Sequence, residues 1–306
     1  MASVRSIENQ NVSEIEIILV NDFSKDNSFK LIKNLQSQDP RIVIINNKKN
    51  MGTLYSRCIG SLNAKGKYIF SLDNDDMFFN SDIFDTVYKI SEQGNFDVVE
   101  FKKYYIQKSK FDLNNIKKYK FNKQKDLILH QPHLGIYPIS KNGRFKHNDY
   151  LIWDKCIKSE IYKKSVNYLG KDIYKKISWN EDIIIIFIIF NISKSFKYIN
   201  KYGILKILSN SSASCSQTQN EKLFGDICLL NTIFKFSNEN KMKNFAVDYL
   251  MVNKRFNYKY MNIQNKIYLL SILRKMIDSK YITENNKNFL KKKLANYIIH
   301  NESNYL

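Results

Sequence analysis

Proline and glycine are scarce, 3 and 9 of 306 residues. Collagen-like repeats, mucin-like stalks and Pro-rich linkers need those residues at high density, so all three are excluded. Cysteine is scarce as well. Cys58, Cys156, Cys215 and Cys228 show no CxxC spacing, so they read as reduced structural thiols rather than a zinc ribbon or disulfide framework. No apolar run approaches the ~20 residues of a membrane-crossing helix. The strongest, IIIIFIIFNI at 183–192, reads as a buried helix or strand. The opening MASVRSIENQNVSEIE is polar and acidic where a secretory leader would carry an apolar core. Zinc-finger spacing, an RNP-like aromatic motif and a compact arginine cluster are also missing. The expectation is a cytoplasmic chain without a transmembrane segment.

Apolar and basic side chains are plentiful. Hydrophobic residues make up 43% and aromatics 14%, too many for a wholly disordered chain, and the length allows one large domain or two modest ones. Lys and Arg number 49 against 29 Asp and Glu, a formal charge of +20. Such a balance suits nucleic acid, anionic lipid or a phosphorylated substrate. The basic residues are mostly Lys, however, and the Lys, Asn and Ile excess is also what an A/T-rich genome produces. Charge is therefore the only argument for nucleic acid, which is set aside as a partner. Residues 241–293 hold 13 basic and 3 acidic residues. This stretch reads as a solvated helical face or, more sharply, as a peripheral contact with an anionic membrane or acceptor.

From 14 to 105 strand and helix patterns alternate. EIEIILVN (14–21), RIVIIN (41–46), KYIFSL (67–72) and FDVVEFKKYY (96–105) are β-like. Between them lie helical spacings such as Phe29, Ile32 and Leu35, or Leu54, Cys58 and Leu62. The spacing predicts an α/β fold with a mostly parallel sheet flanked by helices. The organisation expected is 1–105, then 106–212 beginning with an irregular Lys-rich stretch to 150, then a basic helical region at 213–306. In that last region Ile263, Ile267, Leu270 and Ile277 mark one helical face.

Ligands of such sheets sit beyond the C-terminal strand ends, and the acidic motifs lie there. VNDFS ends one strand and SLDNDD another. If the third strand continues to Asp75, its period of two turns Asp73 and Asp75 to one side. Paired carboxylates call for a cation, and oxygen ligands beside a phosphate suit Mn2+ or Mg2+; the plainer reading is an acidic turn. NMGTLYSR adds a strand-to-helix turn and Arg57, suited to an anion or base carbonyl, or to a surface ion pair. Further on, WNED (179–182) puts Glu181 and Asp182 before the apolar run. There a carboxylate can take a hydroxyl proton or simply cap a helix.

The order SIENQNVSEIEIILVNDFSKDNS, NKKNMGTLYSRCIGSLNAKGKYIFSLDNDDMF, IWDKCIKSEIY, WNEDIII resembles glycosyltransferase family 2, the nucleotide-sugar-dependent enzymes of GT-A fold, over roughly residues 3–212. The resemblance implies a metal-dependent inverting transfer from a nucleotide-diphosphate sugar, a UDP-sugar favoured, to a hydroxyl of a glycan or lipid-linked acceptor. It implies that Asp22 and Arg57 bind base, ribose or diphosphate. Asp73 and Asp75 would hold the metal, Asp76 would border the sugar or metal shell, Asp182 would be the base and Glu181 its neighbour. Trp153, Asp154 and Lys155 match a segment beside the acceptor, with Lys155 read as a surface lysine. The family has a strand ahead of the first helix, whereas SVRSIENQ begins inside that helix, so the first strand is expected to be absent. A truncated enzyme or an inactive binding or scaffold relative would both look this way. A nucleotidyl transferase also pairs aspartates, but WNED speaks against it. Gly203 stands where a second aromatic is common in the family.

Overall fold

The computed structural model describes residues 2–107, 109, 127–130, 151–208, 217–236 and 261–302. Cys215, the Lys-rich stretch beyond 107 apart from 109 and 127–130, and the basic stretch 241–260 lie outside the described residues. After a short helix α1 (Ala2–Glu8), the strands β1 (Ile17–Asn21) and β2 (Ile42–Asn46) pair in parallel, Ile17 opposite Ile42 and Asn21 opposite Asn46. The connection is α2 (Ser28–Gln38), since parallel neighbours need a long crossover.

A second sheet contains β3 (Tyr68–Phe70), β4 (Met77–Phe78), β5 (Val98–Gln107), β6 (Leu127–His130), β7 (Lys155–Lys158) and β8 (Ser195–Leu208). Its order is β3-β7-β5-β8-β4, with β6 also on β8. Only β5 and β8 run parallel; the other four pairings are antiparallel. The α/β architecture is as expected, but the sheet is mixed rather than mostly parallel. The departure comes from β7, which runs antiparallel between β3 and β5. All four of its residues, KCIK, are buried, and two are lysines, so no apolar run advertised a central strand. The first sheet ends at β1 and the second at β3, and these two strands are not hydrogen-bonded to one another. Glu16 ties the two sides together, its carboxylate accepting from the amides of Lys65 (2.5 Å) and Gly66 (2.8 Å).

The helices are α3 (Thr53–Asn63), α4 (Ile83–Gly94), α5 (Ser159–Leu169), α6 (Glu181–Ile192), α7 (Gln219–Phe236), α8 (Ile263–Ile277) and α9 (Glu284–Glu302). The 183–192 run forms most of α6, where Ile184 through Phe190 are all buried; a helix apolar all round belongs in a core. It packs in one cluster with Leu54 and Cys58 of α3, Tyr162 of α5, Ile227 of α7 and Leu273 of α8. The opposite face of the second sheet carries Ile83, Phe84 and Val87 of α4 against Val99, Phe101, Trp153 and Ile204. Gly203 belongs here: a Cβ on it would lie 2.4 Å from the Phe101 ring, which leaves no room for an aromatic.

In α8 the expected face is turned. Asn265, Leu269, Ile272, Leu273 and Met276 are buried, while Ile263 and Ile267 are 66% and 63% exposed. The helix carries two apolar stripes, and the denser one takes the core. Cys58, Cys156 and Cys228 are buried free thiols. Burial pushes Cys58 up to about 12, which makes it inert near neutrality.

Candidate active site

The acidic motif is organised by a turn. Strand β3 ends at Phe70, and the Asp76 amide donates to the Asp73 carbonyl at 3.2 Å. Strand alternation therefore does not align Asp73 and Asp75. The turn instead gathers one oxygen each of Asp73, Asp75 and Asp76 within 4.8 Å of one another. Asp75 is exposed, Asp73 half-buried and Asp76 buried. Three carboxylate oxygens at that spacing fit a hard divalent cation, so the donor set agrees with the metal that the family pattern implies.

Arg57 reaches this turn from α3. The helix begins after Gly52, whose φ of +88° favours glycine. The preceding loop is fixed by Asp22: its Oδ1 accepts from Asn47 Nδ2 (2.9 Å) and the Met51 amide (2.8 Å), and its Oδ2 from the Gly52 amide (2.7 Å). Asp22 thus braces the strand-to-helix turn and lies apart from the acidic cluster in its hydrogen bonding. Arg57 Nη2 donates to Asp73 Oδ1 at 2.6 Å, and Nη1 contacts Glu181 Oε1 at 3.5 Å and Asp182 Oδ1. Burial opposes its charge, but Asp182, Asp73 and Glu181 together hold the guanidinium above its ordinary value. Burial alone would raise Asp73; Arg57 and Lys206 keep it below the usual carboxylate range.

Glu181 and Asp182 stand in the first turn of α6, where the helix dipole favours negative charge. The residue at the cap position is Asn180, at φ +60° and without a side-chain cap bond, so Asp182 is not the cap. Asn180 Nδ2 instead donates to the buried Asp226 Oδ1 of α7 at 2.7 Å. Helix α7 approaches so closely at Gly225 that a Cβ there would fall 2.2 Å from the Trp179 carbonyl oxygen. Trp179 is thereby a backbone contact of α7, and WNED is held from both sides. Burial, with Glu181 and Asp73 nearby, pushes the Asp182 carboxyl up to about 7 against the pull of Arg57.

Sequence reasoning missed Lys206. Strands β4 and β8 pair with Met77 opposite Leu205, and one step further along the antiparallel register Asp76 faces Lys206. The ammonium sits 2.7 Å from Asp76 Oδ2 and 3.2 Å from Asp73 Oδ2, while the Ile207 amide donates to Asp76 Oδ1 at 3.3 Å. Burial pushes Asp76 up to about 7, opposed by its hydrogen bond from Lys206. Its one sequence signal was a lone charge inside the apolar YGILKIL. Trp153 lies beside it, its ring 5.2 Å from the Lys206 ammonium and 5.8 Å from that of Lys103. Lys155, expected at the surface, is instead fully buried. The charged residues Asp154, Lys155 and Lys158 in and beside β7 hide the fact that it is a central strand.

Residues 2–150 match the family model described as glycosyl transferase family 2. The chain is 32% identical over 180 residues to an uncharacterised glycosyltransferase of Methanocaldococcus jannaschii, covering 52% of this chain and 59% of that one. It is 25% identical over 240 residues to the cholesterol galactosyltransferase of Borreliella burgdorferi, covering 72% and 60%. It thus spans about three fifths of the length of these two curated relatives. Among solved structures, S. aureus TarS 1–349 in complex with UDP superposes with a TM-score of 0.61 at 14% identity, over 97% of this chain and 84% of that one. The same TarS fragment in complex with UDP-GlcNAc gives a TM-score of 0.62 at 12% identity, over 96% and 84%; both likenesses speak to the fold. With the acidic turn, its arginine and the WNED carboxylates brought together on this framework, the chain has the GT-A fold, and its N-terminal half, residues 2–150, carries the match to glycosyltransferase family 2.

Proposed function

We propose that the chain transfers a sugar from a nucleotide-diphosphate sugar, a UDP-sugar in first place, to a hydroxyl of a glycan or glycolipid, inverting the anomeric centre. One observation carries the reading. A single guanidinium, Arg57, joins Asp182 on α6 to Asp73 in the acidic turn, so a proton acceptor stands next to a cation and phosphate site. The UDP and UDP-GlcNAc named for the TarS structures, and the galactosyl transfer named for the Borreliella relative, support the donor class.

In this reading Asp73 and Asp75 hold Mn2+ or Mg2+, which when bound offsets charge building on the leaving diphosphate. Arg57 hydrogen-bonds the diphosphate or base carbonyl, and Asp22 offers its remaining lone pairs to base or ribose. Asp76, buried beneath the turn, helps fix the metal shell. The ionised Asp182 accepts the acceptor's hydroxyl proton as that oxygen bonds to the anomeric carbon. The bond from that carbon to the phosphate oxygen breaks, and its electron pair leaves with the nucleoside diphosphate. Attack opposite the leaving group inverts the centre, while Glu181 keeps Arg57 in place.

Calorimetric titration with UDP, with and without Mn2+, tests the reading. Binding should require the metal and be lost in Asp75→Asn. A folded protein that binds neither UDP nor another nucleoside diphosphate would leave the non-catalytic binding or scaffold reading in its place.

The acceptor side of the proposal includes a membrane surface. Helix α8 turns Ile263 and Ile267 outward on the same helix as Lys266, Arg274 and Lys275, a mixture that suits contact with an anionic bilayer. No helix among the described residues is long and apolar enough to cross one. Sedimentation with phosphatidylglycerol vesicles should fall when Ile263 and Ile267 are both changed to Glu; sedimentation unaffected by the change would remove α8 from the proposal.

A further inference from the structure

Asp73 is the central carboxylate of the acidic turn, and cationic side chains hold both of its oxygens. Oδ1 accepts from Arg57 at 2.6 Å, and Oδ2 pairs with Lys206 at 3.2 Å. The same ammonium is 2.7 Å from Asp76 Oδ2. Asp75 alone of the three is exposed. A divalent cation ligated by Asp73 needs one of its oxygens at ~2.0–2.2 Å. Oδ2 carries the longer and weaker of the two contacts, so it is the oxygen that can be released.

A divalent ion and an ammonium on one carboxylate oxygen would stand ~4 Å or less apart and repel strongly in a half-buried site. They therefore exclude one another. The lysine is built to move where the arginine is not. Arg57 is fixed by three carboxylates, whereas Lys206 is a point charge on a flexible stem. The Trp153 ring, its centroid 5.2 Å from the ammonium, offers the charge a second resting place. Asp76 keeps the Ile207 amide as a partner when the ammonium leaves.

We infer that Lys206 is a tethered counter-ion of the donor site. It fills the cation position on Asp73 and Asp76 while no donor is bound, gives way to the divalent ion, and then directs its ammonium to the diphosphate. The inference rests on the proposed donor site and adds a consequence. Metal alone binds weakly because it must displace the lysine, and nucleotide strengthens metal binding because the diphosphate gives the displaced ammonium a partner. By linkage the metal strengthens nucleotide binding by the same factor.

The test is titration with MnCl2 alone, read from the electron paramagnetic resonance signal of free Mn2+, on the full chain. Lys206→Met should bind Mn2+ about tenfold tighter than the parent, the scale expected for removing one adjacent like charge. Lys206→Arg should stay as weak as the parent. The gain in Mn2+ affinity that saturating UDP gives the parent should shrink in Lys206→Met. Should the Met variant fail to fold, Lys206→Gln, which still donates to Asp76, carries the same expectation. Unchanged or weaker Mn2+ binding in the uncharged variants, with the parent still binding UDP and Mn2+ together, overturns the role of Lys206 and leaves the donor site standing. A parent that binds neither overturns both.

Discussion

Asp182→Asn should lower kcat by roughly 10²–10⁴, the usual worth of a positioned general base, while UDP and Mn2+ binding stays within about twofold. The carboxylate lies beyond Arg57 from the acidic turn, so its loss takes the proton acceptor and spares the oxygens assigned to the metal. The parent's pH profile should carry the same signature. Burial raises the Asp182 carboxyl from 3.8 to about 7, and only the ionised form accepts a proton, so kcat should climb as pH rises through about 7 and fall away below it. In Asp182→Asn that inflection should vanish. Stability separates this from a folding defect. An acid whose folded pKa is raised stabilises the fold fully below about 3.8, and that contribution is lost as pH rises toward 7. At pH 8 the charged Asp182 is therefore a burden that Asn lacks, and the variant should melt no lower than the parent. Full turnover in Asp182→Asn would remove it from the mechanism.

The residues most legible in the sequence were those whose chemistry is local. Asp73, Asp75 and Asp76 lie within four positions, and Glu181 and Asp182 are adjacent, so their order alone suggested a cation site and a base. Even there the geometry was misread: a strand was extended to Asp75, and a turn does the gathering. Arg57 was read as a partner for phosphate or base, but its three ion pairs reach up to 125 positions along the chain and have no local trace. Lys206 reaches Asp76 across 130 positions through a two-residue strand pairing that no periodicity announces. Alternating β and α patterns conveyed the α/β class because crossover helices set that rhythm. They could not convey the antiparallel β7, whose central place depends on burying Lys155 and Lys158 in defiance of hydropathy. Helix α8 shows the same limit: its two apolar stripes are equally periodic, and only the surroundings select Leu269, Ile272, Leu273 and Met276.

Lys155→Met should cost about 3–5 kcal/mol of stability, the range for removing one partner of a buried ion pair. The lysine is fully buried on β7, with its ammonium 2.7 Å from Asp154 Oδ1, 2.9 Å from Glu100 Oε2 and 2.7 Å from the Leu151 carbonyl oxygen. Asp154 is fully buried and Glu100 nearly so. Methionine fills most of the volume but leaves Glu100 without this cation, and Asp154 with Lys103 alone of its two, at 2.6 Å. Chemical denaturation should show the loss, and adding Glu100→Gln should recover part of it, because a neutral partner needs no cation. If the single variant is as stable as the parent, the network is not an energetic unit. The same substitution should also reach the donor site. Without Lys155, Asp154 draws more fully on Lys103, the lysine that shares the Trp153 ring with Lys206. The Mn2+ affinity of the acidic turn should then change in Lys155→Met, and because Glu100→Gln leaves Asp154 still without Lys155, that change should persist in the double variant while stability recovers.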